Sequence, residues 1–373
     1  MRYGASSDYE EGVLITHLDY VPALKWRQGE YQALLRLSDA QKLRVVPLIE
    51  ITPPEFDFEL WMPKKTIDEH LATFAPRLRA KWGSRPALLD CGLVPPTMRM
   101  ADGTHPLAYL HDHSAILGAN LVPVTSLERD SNYQRAVHQI DAVGSTGAAL
   151  RCGLEDVLDL GFDQNIVGLL GEIEIDLFAL DIILDLRSPA FEPQADLVAT
   201  IVAGLSNSNT IYACRSVTLI ATSFPDSMGS VTPPLQFWPR REWLLYKAVR
   251  AALPAGFRTP GFGDYAIAGA EFTQMDMRVV KPSATIRYAV DDGWLIAKGL
   301  NVRDNGFGQC RTLSGSITSS PNYLGTTHSA GSAYIDGCRA GTEKTGNLTT
   351  WRWVGTNHHI AKVVSDLANL HGP

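Results

Sequence analysis

The sequence predicts an α/β protein built as a (β/α)8 barrel with a small C-terminal extension, a β-hairpin followed by a helix. Eight short apolar runs alternate with longer segments of helical spacing over roughly the first 270 residues, the size of such a barrel. Several runs are apolar throughout, which is typical of parallel strands covered on both faces. A doubly wound open sheet also alternates, but usually with fewer strands, and is the second interpretation.

The elements of the barrel can be assigned in chain order. The predicted strands are Tyr20–Leu24, Arg44–Ile51, Ala87–Cys91, Leu121–Val124, Ala148–Cys152, Ile182–Leu186, Val217–Thr222 and Phe262–Ile267. Between them, apolar residues three or four positions apart predict helices. The clearest are Gly29–Leu37, Thr66–Lys81, Asn132–Val143, Gln194–Leu205 and Arg241–Ala252.

The alternation ends near Ala270, so we divide the chain into a barrel, residues 1–270, and an extension packed on it, residues 271–373. Thr285–Val290 and Trp294–Ala297 flank the turn sequence Asp-Asp-Gly and predict a β-hairpin. A stretch rich in Gly, Ser and Thr follows at Asn301–Gly331. A helix is predicted at His359–Leu370.

Composition narrows the class of protein. The formal net charge of −7 and pI near 5.8 argue against a broad basic surface for nucleic acid. Five scattered cysteines favour free thiols in a reducing compartment. Residues 1–11 are polar and acidic, and no run reaches about 18 apolar residues, so we expect a cytoplasmic protein with no membrane partner.

Acidic residues stand at the ends of three predicted strands. Glu50, Asp90 and Asp185 close the second, third and sixth runs. In a (β/α)8 barrel the active site lies at the carboxyl ends of the strands, so we predict that these carboxylates are the catalytic groups. They could act as an acid–base pair or hold a divalent cation. The spacing does not decide between these roles, and no cofactor is assigned.

Cations and other polar residues stand at the same ends, and we predict that they bind a ligand. They are Lys25, Arg27, Arg151, Ser223 and Asp264. Guanidinium groups bind phosphate in a bidentate manner, so the rim suits an anionic ligand. Alternatively, Lys25 pairs with Glu50 and Arg151 pairs with Asp185, and the ion pairs only cap the barrel mouth.

Two aromatic clusters add further ligand-binding candidates. Arg241 lies in the segment Trp238–Trp243, whose arginines either pack on the indoles at a helix start or help to stack a ring. The second cluster contains Trp351, Arg352 and His358. Because His358 and His359 are adjacent, they cannot share one face of a helix, so we expect one to face the barrel and the other the solvent.

The segment Tyr20–Leu34, followed by Val46–Glu50, resembles the opening of the beta protein family, which occurs in bacteria and phages. The closing segments Gly346–Arg352 and Asn357–His359 resemble the end of that family, so the similarity covers most of the chain. The resemblance implies a cytoplasmic prokaryotic or phage protein linked to phage–host conflict. It implies no catalytic residue.

Two functions therefore remain. The first is a hydrolase or lyase for a phosphate- or nucleotide-like substrate, with the acids at the centre and Lys25, Arg27 and Arg151 neutralising the anion. The second is a non-catalytic binding or sensor protein that recognises a protein partner through the rim or the two aromatic clusters. A nuclease is a weaker option, because the chain is acidic and lacks a clear nuclease motif.

Overall fold

The computed structural model describes residues 15–276 and 278–372, so the acidic segment 1–11 lies outside the described residues. Eight parallel strands close into a barrel, which confirms the predicted fold and excludes the open sheet. Every predicted run overlaps one strand. The barrel strands are β1 (Tyr20–Lys25), β2 (Leu48–Glu50), β5 (Pro86–Asp90), β6 (Asn120–Thr125), β7 (Ala148–Cys152), β8 (Leu180–Asp185), β9 (Ser216–Ala221) and β11 (Gly261–Asp264).

The barrel interior is a packed core because alternate residues of each strand point inward. Val21, Leu88, Ala149 and Ile183 share one buried interior cluster. The residues between them point outward and pack beneath the surrounding helices. This alternation decides which strand-end side chains reach the mouth.

Helices surround the barrel and connect its strands. They are α1 (Gln28–Leu35), α2 (Asp39–Lys42), α3 (Ile67–Leu71), α4 (Phe74–Lys81), α5 (Pro106–Ile116), α6 (Ser131–Gly144), α7 (Leu154–Leu158), α8 (Phe162–Ile173), α9 (Gln194–Asn207), α10 (Asn209–Ala213) and α11 (Arg241–Ala252). The helix predicted over Thr66–Lys81 is two helices, α3 and α4. The Thr66 hydroxyl caps α3 by accepting from the Glu69 backbone N–H at 3.2 Å.

The predicted hairpin is present as part of a three-stranded antiparallel sheet. It consists of β12 (Ser283–Ala289) and β13 (Gly293–Asn301). The third strand, β10 (Leu235–Pro239), comes from the connection between β9 and α11 and pairs Trp238 with Trp294. Its last two residues, Trp238 and Pro239, belong to the segment Trp238–Trp243 that was interpreted as packing at a helix start. A further two-stranded hairpin, β3 (Phe56–Asp57) and β4 (Met62–Pro63), lies in the connection after β2.

The extension contains more helix than the sequence indicated. The Gly/Ser/Thr-rich stretch forms α12 (Val302–Asn305) and α13 (Cys310–Thr318), and α14 (Ala330–Ala340) follows. The last helix, α15 (Leu348–His371), begins at Leu348 and not at His359.

Helix α15 joins the extension to the barrel. Its first part supplies Trp351 and Val354 to the core of the extension, whereas Ile360 and Val363 belong to the large cluster around the barrel. The helix packs on α1 and β1 and so closes the outer ring beside the last barrel strand. The first barrel strand, the first helix and the last helix of the described chain therefore lie in contact.

Two general expectations can be checked on the fold. All five cysteines are buried and free, as expected. Within residues 15–276 and 278–372, no helix combines the length and apolarity that crossing a bilayer would need.

Candidate functional site

Three predicted acids meet one arginine at the barrel mouth. Arg151 Nη1 donates to Glu50 Oε1 at 2.9 Å and to Asp90 Oδ2 at 2.7 Å. Arg151 Nε donates to Asp185 Oδ2 at 2.8 Å. The three acids are nearly inaccessible and Arg151 is 16% exposed. Residues from four strands therefore form one buried charge cluster.

A tyrosine that the sequence analysis missed completes the cluster. Tyr265 accepts a hydrogen bond from Arg151 Nη2 at 2.7 Å and donates to Asp185 Oδ2 at 2.5 Å. Side chains alternate along a strand, so Tyr265 shares the inward orientation of Gly263 in β11. The same alternation points Asp264 outward. Counting alternate residues from the interior positions would have selected Tyr265 over Asp264.

The cluster forms the floor of a cavity of about 510 Å³, which we call the mouth cavity. Its wall contains more acids than cations. The charged lining residues are Glu50, Asp90, Glu128, Arg129, Arg151, Glu155, Asp156, Asp185 and Arg187. Two residues next to the cluster, Arg187 and Ala266, have positive φ angles of 56° and 52°. Non-glycine residues with such angles store backbone strain, which is common at functional sites.

The hydrogen-bonding capacity of the three acids differs. Asp90 Oδ1 accepts from the Gly92 backbone N–H at 2.6 Å, and Asp185 Oδ1 accepts from the Arg187 backbone N–H at 2.9 Å. Glu50 Oε2 is buried and has no hydrogen-bond partner in the described part of the chain. The ammonium group of Lys25 lies 3.6 Å from it. Glu50 is therefore the acid with an oxygen left to bind a substrate or a water.

Arg151 is held as a cation by its neighbours. Burial alone would lower its pKa, but Asp185, Tyr265, Glu50 and Asp90 raise the pKa of Arg151 well above its ordinary value. Burial, followed by the negative charge of Asp185, raises the pKa of Tyr265. The guanidinium occupies the centre at which the three carboxylates converge. Among the described residues, no group of three or more His, Cys, Asp or Glu side chains is arranged to hold a metal ion.

Lys25 and Arg27 line a second cavity rather than joining Arg151. This cavity, about 600 Å³, lies between the barrel and the extension, and we call it the junction cavity. Lys25 stands in the wall between the two cavities, because it also contacts Glu50. Arg352, from α15, and Arg287, from β12, line the same cavity. Arg287 was not among the predicted ligand-binding residues, because it lies in a predicted strand of the extension.

Asp264 lies outside both cavities. It accepts hydrogen bonds from Tyr20 and from the Ala266 backbone N–H, and its Oδ2 lies 2.7 Å from His359 Nε2. Burial alone would raise its pKa, but His359 and Arg240 lower the pKa of Asp264 below its ordinary value. This carboxylate thus attaches β11 to α15. The structure does not bring it to the mouth.

Ser223 and Arg241 also lie away from the mouth. The Ser223 hydroxyl donates to Glu242 Oε2 at 2.5 Å and accepts from the Arg241 backbone N–H at 2.9 Å. The Arg241 side chain is 44% exposed and pairs with Glu192 at 3.0 Å. The neighbouring Arg240, fully buried, stacks on Trp243 with 5.5 Å between guanidinium carbon and ring centroid. The cluster thus packs at the start of α11.

The second aromatic cluster is interior. Trp351 and His358 are buried, and the Trp351 indole donates to the Thr345 carbonyl at 2.9 Å. The expectation that one of two adjacent histidines faces solvent is wrong, because both are fully buried. His358 stacks on Tyr288 in the extension, and His359 contacts Asp264 in the barrel. Helix α15 packs between the barrel and the extension, so the faces that carry His358 and His359 are both buried.

The comparisons with known proteins identify a family but no activity. The family model described as Beta protein matches residues 20–365, nearly the whole chain. No curated protein matches the sequence. The matched range spans the strands that supply the mouth cluster and most of α15.

Proposed function

The chain belongs to the Beta protein family, and we propose that this member hydrolyses a phosphate- or nucleotide-like substrate in the mouth cavity, with Glu50 as the general base. The observation that carries the proposal is the buried Glu50 Oε2, which lacks a hydrogen-bond partner within the described residues. A buried acceptor without a donor is costly in free energy. A water held by this oxygen would remove that cost and would lie where a base can activate it.

The other residues of the cluster have defined roles in this proposal. Asp90 and Asp185 hold Arg151, and Arg151 in turn fixes the second oxygen of Glu50 at 2.9 Å. Glu50 accepts a proton from the attacking water, and the same proton passes to the leaving group when the bond to it breaks. Arg187 is 59% exposed and pairs only weakly with exposed Glu271, so it is available to an anionic group of the substrate.

The test is the rate at which the purified full chain hydrolyses bis(p-nitrophenyl) phosphate and a panel of nucleotides. Glu50→Gln keeps the shape of the side chain but removes its basicity. We expect the rate to fall by about 100-fold or more, the usual contribution of a general base, while the variant stays folded because Asp90 and Asp185 still pair with Arg151. Asp185→Asn should also reduce the rate, because it weakens the support of Arg151. Glu172→Gln, an exposed acid on α8, is the matched control.

Three results would contradict the proposal. One is a wild-type protein that hydrolyses none of these substrates. Another is a Glu50→Gln variant as active as wild type. The third is that Glu50→Gln and Asp185→Asn both simply unfold, which would make the acids structural supports of the barrel mouth. The link to phage–host conflict and a cytoplasmic location, both implied by the resemblance, remain parts of this proposal.

A non-catalytic protein-binding function is the second candidate. One observation favours it, at a surface that was not among those predicted. The side chains of Trp351 and His358, two of the predicted contact residues, are buried, so a partner cannot touch them in this fold. At the β3–β4 hairpin, however, Leu60, Trp61 and Met62 are all more than half exposed. Adjacent exposed apolar side chains are typical of contact surfaces. Trp61→Ser would then abolish function, whereas Glu50→Gln would not.

A further inference from the structure

We infer that the junction cavity binds the phosphate group of a small molecule that also carries an apolar or aromatic portion. Its lining comes from the start of α1, the loops that follow β9 and β11, strand β12 and the start of α15. The barrel and the extension must both be in place to form it. The inference does not depend on whether the mouth cavity is catalytic.

Arg287 provides the main support. Its Nε atom is buried without a hydrogen-bond partner, and its guanidinium makes no ion pair with any residue in the described ranges. Its guanidinium lies over the Phe224 ring, with 5.7 Å between the guanidinium carbon and the ring centroid. Burial and the nearby Arg352 lower the pKa of Arg287 to about 9. Arg287 is partly buried, so its positive charge is unfavourable without an anion nearby, and a phosphate would compensate it with charge-assisted hydrogen bonds.

Two further guanidinium groups line the cavity without a carboxylate partner in the described part of the chain. Arg352 Nη1 makes a long hydrogen bond, 3.3 Å, to the Ile267 carbonyl. Arg27 lies over the Phe272 ring, with 5.2 Å between guanidinium carbon and centroid. Gly29 allows this arrangement, because a Cβ atom there would lie 2.2 Å from Arg352 Cγ. Arginine forks of this kind match phosphate oxygens in geometry as well as charge.

Acids also line the cavity, but among the described residues none of them forms an ion pair with Arg27, Arg287 or Arg352. Glu271 is 71% exposed, so water screens its charge, and it forms a surface ion pair with Arg187 at 2.9 Å. Asp226 is exposed to solvent. Glu30 is buried, and its carboxylate accepts from the Arg27 backbone N–H at 3.2 Å. Burial raises the pKa of Glu30, although Arg352 and Arg27 oppose this effect. The lining therefore retains capacity for an added anion.

The remaining wall defines the rest of the ligand. Leu348 and Thr349, the first two residues of the 24-residue helix α15, line the cavity. The positive end of a long helix dipole favours an anion there. Phe224, Ile267 and Phe272 supply an apolar wall. A volume of about 600 Å³ suits a small phosphorylated molecule, such as a nucleotide, rather than a lone ion.

The experiment is a calorimetric titration of the full chain, in phosphate-free buffer of low ionic strength, with adenosine 5′-monophosphate, adenosine and inorganic phosphate. We expect the monophosphate to bind and adenosine without phosphate to bind at least 10-fold more weakly. Arg287→Met and Arg352→Met should each weaken monophosphate binding at least 10-fold. Arg339→Met is the matched control, because Arg339 is an exposed arginine of the extension paired with Asp336. It should bind as wild type does.

A comparison between the cavities makes the result decisive. Arg129 lines the mouth cavity, where it lies 3.4 Å from Asp90. If Arg129→Met weakens binding and Arg287→Met does not, the anion binds at the mouth and the inference is wrong. The inference also fails if neither phosphate compound binds, or if adenosine alone binds as tightly as its monophosphate. A folded Arg287→Met protein, checked by circular dichroism, excludes unfolding as the cause of a loss.

Discussion

The mouth cavity and the junction cavity lie side by side, with Lys25 in the wall between them, yet their arginines have opposite surroundings. At the mouth, three carboxylates and a tyrosine surround Arg151. At the junction, Arg287 is partly buried, its Nε atom fully so, and it has no carboxylate partner in the described residues. The barrel strands supply the first set of charges, and the contact between barrel and extension creates the second.

Because of this difference, the two cavities can have different functions. A charge compensated within the chain stabilises one conformation, and little capacity remains for a ligand except at Glu50. A charge left uncompensated lowers the stability of the empty protein and raises its affinity for an anion. The two arginines should therefore respond to removal in opposite directions.

The largest effect is expected at the mouth. Arg151→Met leaves Glu50, Asp90 and Asp185 buried beside one another without their shared cation. Removing one partner of a buried ion pair typically costs about 3–5 kcal/mol of the free energy of unfolding. Urea denaturation of the variant and wild type measures the loss. Arg339→Met, which removes an exposed ion pair, should lose less than about 1 kcal/mol. A similarly small loss in Arg151→Met would mean that the cluster carries little of the fold.

An intermediate case is Glu242, which is fully buried but has an imperfect partner, Arg240 Nε at 3.8 Å. Burial raises the pKa of Glu242 from 4.5 to about 7, despite Arg240, and the negative charge of Asp264 adds to the rise. The folded protein therefore holds a proton that the unfolded chain loses above pH 4.5. This contribution to stability is complete below about pH 4.5 and is lost as the pH rises to about 7.

The variant Glu242→Gln removes that titration. Over this pH interval we expect the free energy of unfolding of wild type to fall relative to the variant by about 3 kcal/mol, from about 1.4 kcal/mol per pKa unit. Denaturation curves at pH 4.5, 5.5, 6.5 and 7.5 measure it. Parallel curves for the two proteins would show that Glu242 ionises normally in the fold.

At the junction cavity we expect a change of the opposite sign in the free energy of unfolding. Arg287→Met replaces a partly buried cation that has no carboxylate partner in the described residues with an apolar side chain of similar length. In phosphate-free buffer, the free energy of unfolding should stay unchanged or rise by about 1–2 kcal/mol. A loss of about 3 kcal/mol, as large as that expected for Arg151, would contradict the distinction between the two cavities.

The smallest effect is expected at Gly29. A Cβ atom there would collide with the stem of Arg352, so Gly29→Ala must displace that side chain or part the two helices. We expect a loss of about 1 kcal/mol in spite of the better helix propensity of alanine. Gly168→Ala in α8 is the control, because a Cβ atom at Gly168 meets nothing within 4 Å. That variant should gain up to about 1 kcal/mol. Equal shifts in thermal denaturation would show that Arg352 is free to move.

Much of the mouth could be predicted because strand ends and charges are local features. Apolar runs ending in Glu50, Asp90, Arg151 and Asp185 predicted a charged rim, and the closed barrel brings these side chains together. Asp264 was included only because it stands in the last run. The alternation of side chains along β11 points Asp264 outward and Tyr265 inward. The same alternation could have been applied to the sequence.

The junction could not be predicted in the same way. Arg27, Arg287 and Arg352 are far apart in the chain, and no local pattern states that they line one cavity. We predicted Trp351 and His358 as contact residues, and one of His358 and His359 as exposed to solvent. The adjacent residues in the sequence do not indicate that α15 is packed on two sides. Their burial depends on β12, β13 and the barrel together.

The sequence alone determined the eight strands, their order along the chain, the hairpin and the charged strand ends. Each of these depends on the periodicity of neighbouring residues. Only the tertiary structure decided that Arg151 is enclosed by carboxylates whereas Arg287 has no carboxylate partner in the described residues. It also decided that α15 packs against the outside of the barrel while belonging to the extension. Compensation of a buried charge depends on which distant groups come within hydrogen-bonding distance, and that is a property of the packed chain rather than of any segment.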